Sequence, residues 1–157
     1  MKRFPSGKYG RQTLTFHPAP FRAPLRAFAG LVFPWQEERV LLCDILGRGW
    51  CIPSGRVEPE EESIEAVRRE ALEEAGAYLD NLQYIGCYQI LERNETRWAD
   101  CFTASVADLT DIQITAESRA REFYSMEQLP SIYHVWNELT DQVFRHAFEV
   151  YSRLRAM

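Results

Sequence analysis

A chain of 157 residues with 46% hydrophobic and 26% charged residues fits one soluble domain, able to bury a core without disulfide staples, and nothing in it marks a second domain. No apolar run approaches the roughly 20 residues that span a bilayer, and the N-terminus lacks the apolar core of a signal peptide, so neither a membrane span nor export is expected. The net charge of −5 is uneven, because residues 1–26 hold six bases (Lys2, Arg3, Lys8, Arg11, Arg22 and Arg26) and no acid, which leaves the remainder at −11 and argues against a general nucleic-acid-binding surface.

In chain order, the basic segment 1–26 is expected to be an arm, part of the same domain or partly mobile, with the domain proper over 27–157. Arg26 to Trp35 and Glu38 to Ile45 read as strands, rich in Phe, Val and Leu and separated by a polar turn at Gln36 and Glu37. Gly47, Arg48 and Gly49 form a loop, and Trp50-Cys51-Ile52 a short strand running into Pro53. A helix follows, with Ile64, Val67, Ala71 and Ala75 as its apolar stripe, Glu60 to Glu62 in its first turn and Gly76 where a C-cap belongs. Leu82 to Leu91 and Trp98 to Val106 read as strands joined by a polar segment, and Glu122 to Met126 as another. Trp136, Leu139, Val143, Ala147, Val150 and Leu154 recur at helical spacing to the C-terminus. The order predicts α and β structure in one domain, compatible with a mixed sheet covered by helices on both faces. Cys43, Cys51, Cys87 and Cys101 show no C-x-x-C spacing and read as reduced, buried thiols of a cytoplasmic protein. His17, His134 and His146 are scattered and read as non-catalytic.

The chemistry is concentrated in Gly55 to Ala77, G-R-V-E-P-E-E-E-S-I-E-A-V-R-R-E-A-L-E-E-A-G-A. Glu70, Glu73 and Glu74 fall at i, i+3 and i+4, so they project from one helix face and repel one another unless a cation intervenes. A hard divalent ion with oxygen ligands is the natural remedy, and the carboxylates alone suit any metal-dependent phosphoryl transfer.

This segment resembles the Nudix box, G-x5-E-x7-R-E-U-x-E-E-x-G-U with U a bulky aliphatic residue, through Gly55, Glu61, Arg69, Glu70, Glu73, Glu74 and Gly76. At a chance frequency of roughly 7% per fixed position, all seven would recur in such a chain about once in a million. Ala71 and Ala77 occupy the U sites, where a larger side chain is usual, and Ser54 stands where a second glycine is common. The resemblance implies an α/β (α+β) fold, the Nudix α/β/α sandwich with a mixed central sheet. It also implies a hydrolase that cleaves a nucleoside diphosphate linked to another moiety. The implied metal is Mg2+, with Mn2+ as a substitute, held by Glu70, Glu73, Glu74 and the Ser54 carbonyl. Arg69 would orient a box glutamate, and Glu58 and Glu61 would act in the surrounding network. The proton acceptor lies in the box or in a later loop; Glu117 precedes Glu122-Phe123-Tyr124-Ser125 by the five residues seen before the E-W-M-S-like strand of MutT-type enzymes.

Marks of the ADP-ribose, NADH and coenzyme A subfamilies are missing, including a proline near Arg93 and Asn94. The L-T-F, P-A-P-F, G-R-G-W-C-I-P and Y-I-G-C-Y-Q-I elements are similar to bacterial triphosphatases acting on oxidised guanine nucleotides. A nucleoside triphosphate is therefore the expected substrate, with Arg48, Trp50 and Tyr88 as substrate-binding candidates. A nucleotide sugar, a dinucleoside polyphosphate, a capped RNA end or a non-catalytic nucleotide regulator are the alternatives. A monomer and a homodimer are both compatible with the sequence.

Overall fold

The computed structural model describes residues 3–112 and 117–157, so Lys2 of the basic segment lies outside the described residues. The chain begins with β1 (Gly7–Tyr9) and β2 (Gln12–Pro18), then β3 (Ala29–Gln36), β4 (Arg39–Ile45), β5 (Gly49–Cys51) and β6 (Ser54–Arg56). Helix α1 (Ser63–Ala75) precedes the long hairpin β7 (Ala77–Glu92) and β8 (Glu95–Leu109), and β9 (Ser118–Ser125), α2 (Leu129–Ile132) and α3 (Glu138–Arg155) complete it. The sheet runs β1-β2-β7-β8-β3-β4-β5, with β6 paired to β3 and β9 to β4. Strands β3 and β8 are parallel and the other described pairs antiparallel, so the sheet is mixed.

Helices cover both faces, because alternate residues of each central strand serve opposite cores. Phe33, Trp35, Val40 and Leu42 pack with Leu139, Val143, Phe144 and Tyr151 of α3. Val32, Leu41 and Cys43 pack with Val67, Ala71 and Ala75 of α1. The small U-site residues Ala71 and Ala77 are buried and bring α1 close against the sheet. All four cysteines are buried and free, and no described helix is long and apolar enough to cross a membrane.

Part of the basic segment lies in the sheet. Strand β2 is paired to β7 over six positions, with Phe16 opposite Tyr88 and buried in the α3 core. The alternating T-L-T-F of β2 is a strand pattern that the surrounding charge obscures. Strands β7 and β8 are also longer than the apolar runs predict, since register shifts between Tyr78 and Leu79, Asp80 and Gln83, and Tyr84 and Gly86 break the alternation.

Helix α1 starts at Ser63, later than the acidic run suggests. Glu65 reaches back to the Glu62 amide at 2.8 Å, so Glu60 to Glu62 precede the first turn rather than occupy it. Ile64 is 38% exposed and lies outside the buried stripe, which consists of Ala66, Val67, Ala71, Glu74 and Ala75. At the far end Gly76 is left-handed, with φ 62°. A β-carbon there would meet the Thr110 carbonyl and the Arg121 guanidinium, which closes the helix by donating to Ala75 O at 2.9 Å.

Candidate active site

The site is built where β6 passes the acidic face of α1. A β-carbon at Gly55 would fall on the Glu70 carboxyl group, so the box glycine is required by contact with the first of the three glutamates on that face. One residue earlier, the Ser54 amide donates to Glu74 Oε1 at 2.9 Å. Ser54 is not among the residues at positive φ. Strand β6 is thereby stitched to the helix face that bears the carboxylates.

Arg69 organises the approach to that face. Its Nε and Nη2 donate to the two Glu61 oxygens at 2.9 and 3.0 Å, a bidentate pair. Nη1 donates to Glu70 Oε1 at 2.7 Å and lies 3.5 Å from Glu73 Oε2, while Nη2 also donates to Arg56 O at 3.0 Å. Hydrogen bonding from Arg69, with the Glu58 amide beside it, holds the Glu61 carboxyl down to about 2, and Glu61 in turn raises the Arg69 guanidinium. Glu61 is thus a tether of the loop that precedes α1. Glu58 is more exposed, 3.8 Å from Arg69 at its carboxylate. The sequence gives no hint of Arg26, whose guanidinium grips the same loop through Glu58 O at 2.6 Å and Glu61 O at 2.7 Å.

The three helix carboxylates share a face without converging. Among the described residues no group of three or more His, Cys, Asp or Glu side chains is gathered closely enough to hold a metal ion. Each carboxylate is drawn to a different partner. Glu70 is held by Arg69, Glu74 by Ser54, and Glu73 projects with 60% of its side chain exposed.

The charges nevertheless act on one another. Burial pushes the Glu74 carboxyl up to about 8, with the Glu70 charge adding to the shift against the Ser54 hydrogen bond. Burial also raises Glu70, opposed by Arg69 and reinforced by Glu73 and Glu117. Four carboxylates therefore share one field, and Glu117, exposed at the foot of β9, belongs to it. An all-oxygen donor set with a buried carboxylate whose ionised form is disfavoured fits a hard divalent cation.

Beside this face lies a two-lobed cleft. The outer lobe, about 330 Å³, is bordered by Ser54 and Gly55, carries Arg48 and Arg56, and has Phe28 in its wall. The inner lobe, about 150 Å³, shares Tyr9, Tyr133 and His134 with the outer one and runs on to Tyr88, Asn137 and Phe144. Of the substrate-binding candidates, Arg48 borders the outer lobe and Tyr88 the inner one. Trp50 borders neither; its ring packs edge-on against Tyr124 at 5.3 Å. Tyr9, Phe28, Arg56 and His134 escape a reading of the sequence, since they come from four separate segments that only the fold brings together.

The NUDIX domain profile matches residues 24–146. YtkD of Bacillus subtilis (strain 168), whose name assigns it provisionally as an 8-oxo-dGTP diphosphatase, is 36% identical over 69 residues, 44% of each chain. The match thus spans less than half of that relative. Among solved structures, the Bacillus subtilis pyrophosphohydrolase BsRppH superposes with a TM-score of 0.75 at 21% identity, covering 96% of this chain and 98% of that one. A NUDIX hydrolase from Nitrosomonas europaea reaches a TM-score of 0.64 at 20% identity, covering 78% and 90%. At these identities the structural likeness establishes the fold.

Proposed function

Because the chain belongs to the Nudix family, whose profile covers residues 24–146, we propose that it is a Mg2+-dependent hydrolase of nucleoside triphosphates, releasing a monophosphate and pyrophosphate. The observation that carries this reading is the position of the buried, charge-stressed Glu74 and its neighbour Glu70 directly behind Gly55, at the mouth of a cleft that places two arginines before an aromatic interior. Cations at the mouth suit a polyphosphate, and the apolar depth suits a planar base.

Glu70, Glu73 and Glu74, with the Ser54 carbonyl, would hold Mg2+ or Mn2+. Once bound, such an ion supplies neutralisation of phosphate charge, polarisation of a phosphoryl oxygen and acidification of a coordinated water. The remaining work falls to the protein. Arg69 and Glu61 fix the box loop to the helix, so that Glu70 is presented at a set depth. Arg48 and Arg56 border the path of the phosphates. Glu117, or Glu73 from the box, accepts the proton of the attacking water.

The resemblance to YtkD makes an oxidised guanine triphosphate the first substrate to try. The test is a panel of natural and oxidised nucleoside triphosphates with Mg2+ and Mn2+, with products separated by chromatography. Release of pyrophosphate and a monophosphate is expected. Turnover confined to nucleotide sugars, dinucleoside polyphosphates or capped RNA would reassign the substrate, and nucleotide binding without metal-dependent turnover would reassign the protein as a regulator.

A further inference from the structure

We infer that His134 is the residue that reads the base of the nucleotide, because its imidazole stands where the two lobes of the cleft meet and its nitrogens bond no described residue. The inference rests on the hydrolase reading above and assigns a specificity-determining residue to the same site.

The backbone at this position is pinned. The His134 amide donates to Trp50 O at 2.9 Å, and the neighbouring Tyr133 bridges in parallel to Trp50, which docks the segment after α2 onto β5. The ring is flanked by Tyr9, with centroids 5.6 Å apart, and by Tyr133 at 4.8 Å. Tyr9 is itself fixed from the other side, since Asn137 Nδ2 donates to Lys8 O at 3.2 Å and Gly7 is pressed against Leu139. An imidazole so packed has little rotamer freedom left to lose on binding a ligand.

Asn137 and Lys8, which also line the inner lobe, are already engaged. Asn137 Oδ1 accepts from the Thr140 amide at 2.9 Å and from the Thr140 hydroxyl at 3.1 Å. Lys8 Nζ donates to Thr13 Oγ1 at 2.8 Å. The ring nitrogens of His134, by contrast, make no hydrogen bond with any described residue. A half-buried imidazole with no protein partner, lining a cavity, is a group whose hydrogen bonds await a ligand.

Its protonation state suits that role. Burial, with Arg48 nearby, lowers the imidazole to about 4, so at neutral pH it carries one N–H donor and one bare nitrogen acceptor. A neutral ring of this kind can pair with an oxo or amino group on the edge of a heterocycle while Arg48 and Arg56 engage phosphate. A cation at His134 would instead compete for the phosphates and blur the two ends of the cleft.

The test compares wild type with His134→Phe, which keeps the aromatic volume and removes both nitrogens, and with His134→Gln, which restores a donor and an acceptor. KM for the best triphosphate should rise at least about tenfold in His134→Phe, the worth of one ligand hydrogen bond. The ratio of kcat/KM between best and worst bases should shrink by a similar factor, with partial recovery in His134→Gln. Inhibition by inorganic tripolyphosphate, which has no base, should be unchanged in both, and this also reports that the variants are folded. An unaltered base ranking and KM in His134→Phe overturns the assignment. Should wild type hydrolyse no nucleoside triphosphate, the hydrolase reading fails separately. Calorimetric titration of metal-free wild type and His134→Phe with the four nucleoside triphosphates then decides the His134 assignment, and equal affinities overturn it.

Discussion

Glu74→Gln in the metal-free protein isolates the cost of the buried charge. Glu74 is 9% exposed, and its carboxyl is pushed up to about 8 from an ordinary 4.5, chiefly by burial. Folding therefore raises its affinity for a proton. Stability from this group is complete below pH 4.5 and is lost as pH rises through 8. Between pH 6 and pH 8 the loss from Glu74 alone comes to about 2 kcal/mol. For a domain of this size that corresponds to roughly 4–8 °C in Tm. Glu70, also raised, adds to the fall in the same direction. Gln retains an oxygen to accept the Ser54 N–H and carries no charge, so the variant should melt at least about 4 °C above wild type at pH 8 in EDTA, and the gap should narrow to about half by pH 6. Added Mg2+ should raise the wild-type midpoint more at pH 8 than at pH 6 and should raise that of the variant less. The assay is a set of calorimetric scans from pH 5 to 9 with and without Mg2+. Parallel pH profiles for wild type and variant would refute the claim that Glu74 is the stressed group.

Three further outcomes test the rest of the site. Glu73→Gln and Glu74→Gln should each lower kcat by about two orders of magnitude or more with the fold retained by circular dichroism, since a ligand or base is lost without a change of volume; near-normal turnover in both would remove the assignment. Gly55→Ala should weaken Mg2+ dependence at least about tenfold in a metal titration, because the added carbon displaces the Glu70 carboxyl, and an unchanged titration would mean that Glu70 does not set metal affinity. Glu61→Gln should lower Tm at pH 7 and leave it unchanged near pH 2: the depressed Glu61 carboxyl contributes stability above its ordinary pKa that is lost as pH falls toward about 2. A gap between the two proteins that persists at pH 2 would show that the Arg69 pair is not its origin.

The parts of this molecule legible in the sequence are those whose signal is local. Arg69, Glu70, Glu73 and Glu74 lie within one helix that Gly76 caps, so spacing alone places the three glutamates on a common face. Local spacing could not say that Arg69 would draw Glu70 aside and Ser54 would hold Glu74. Those bonds depend on β6 being stitched to α1, a contact between segments 20 residues apart for the Ser54–Glu74 pair. Strand β2 was hidden for a different reason. Its alternation is short, and the place it takes near the end of the sheet, between β1 and β7, is compatible with the basic and polar residues around it. The bulged hairpin of β7 and β8 was legible only where its alternation is unbroken.

The two ends of the cleft differ in the same way, and that difference bears on substrate choice. The carboxylate end depends on α1 and the strand β6 stitched to it and tolerates little, since Gly55 and Gly76 are each fixed by contact. The far end takes Tyr9 from β1 and His134 from the loop after α2, and the His134 ring nitrogens bond no described residue. Substituting Tyr9 or His134 reshapes the inner lobe without touching the atoms that bring Glu70 and Glu74 behind Gly55. On the hydrolase reading proposed above, reaction class and base preference are therefore separable. A His134 variant with altered base ranking and intact Mg2+ dependence would show them separating; a variant in which both fail together would show that the cleft is one cooperative unit.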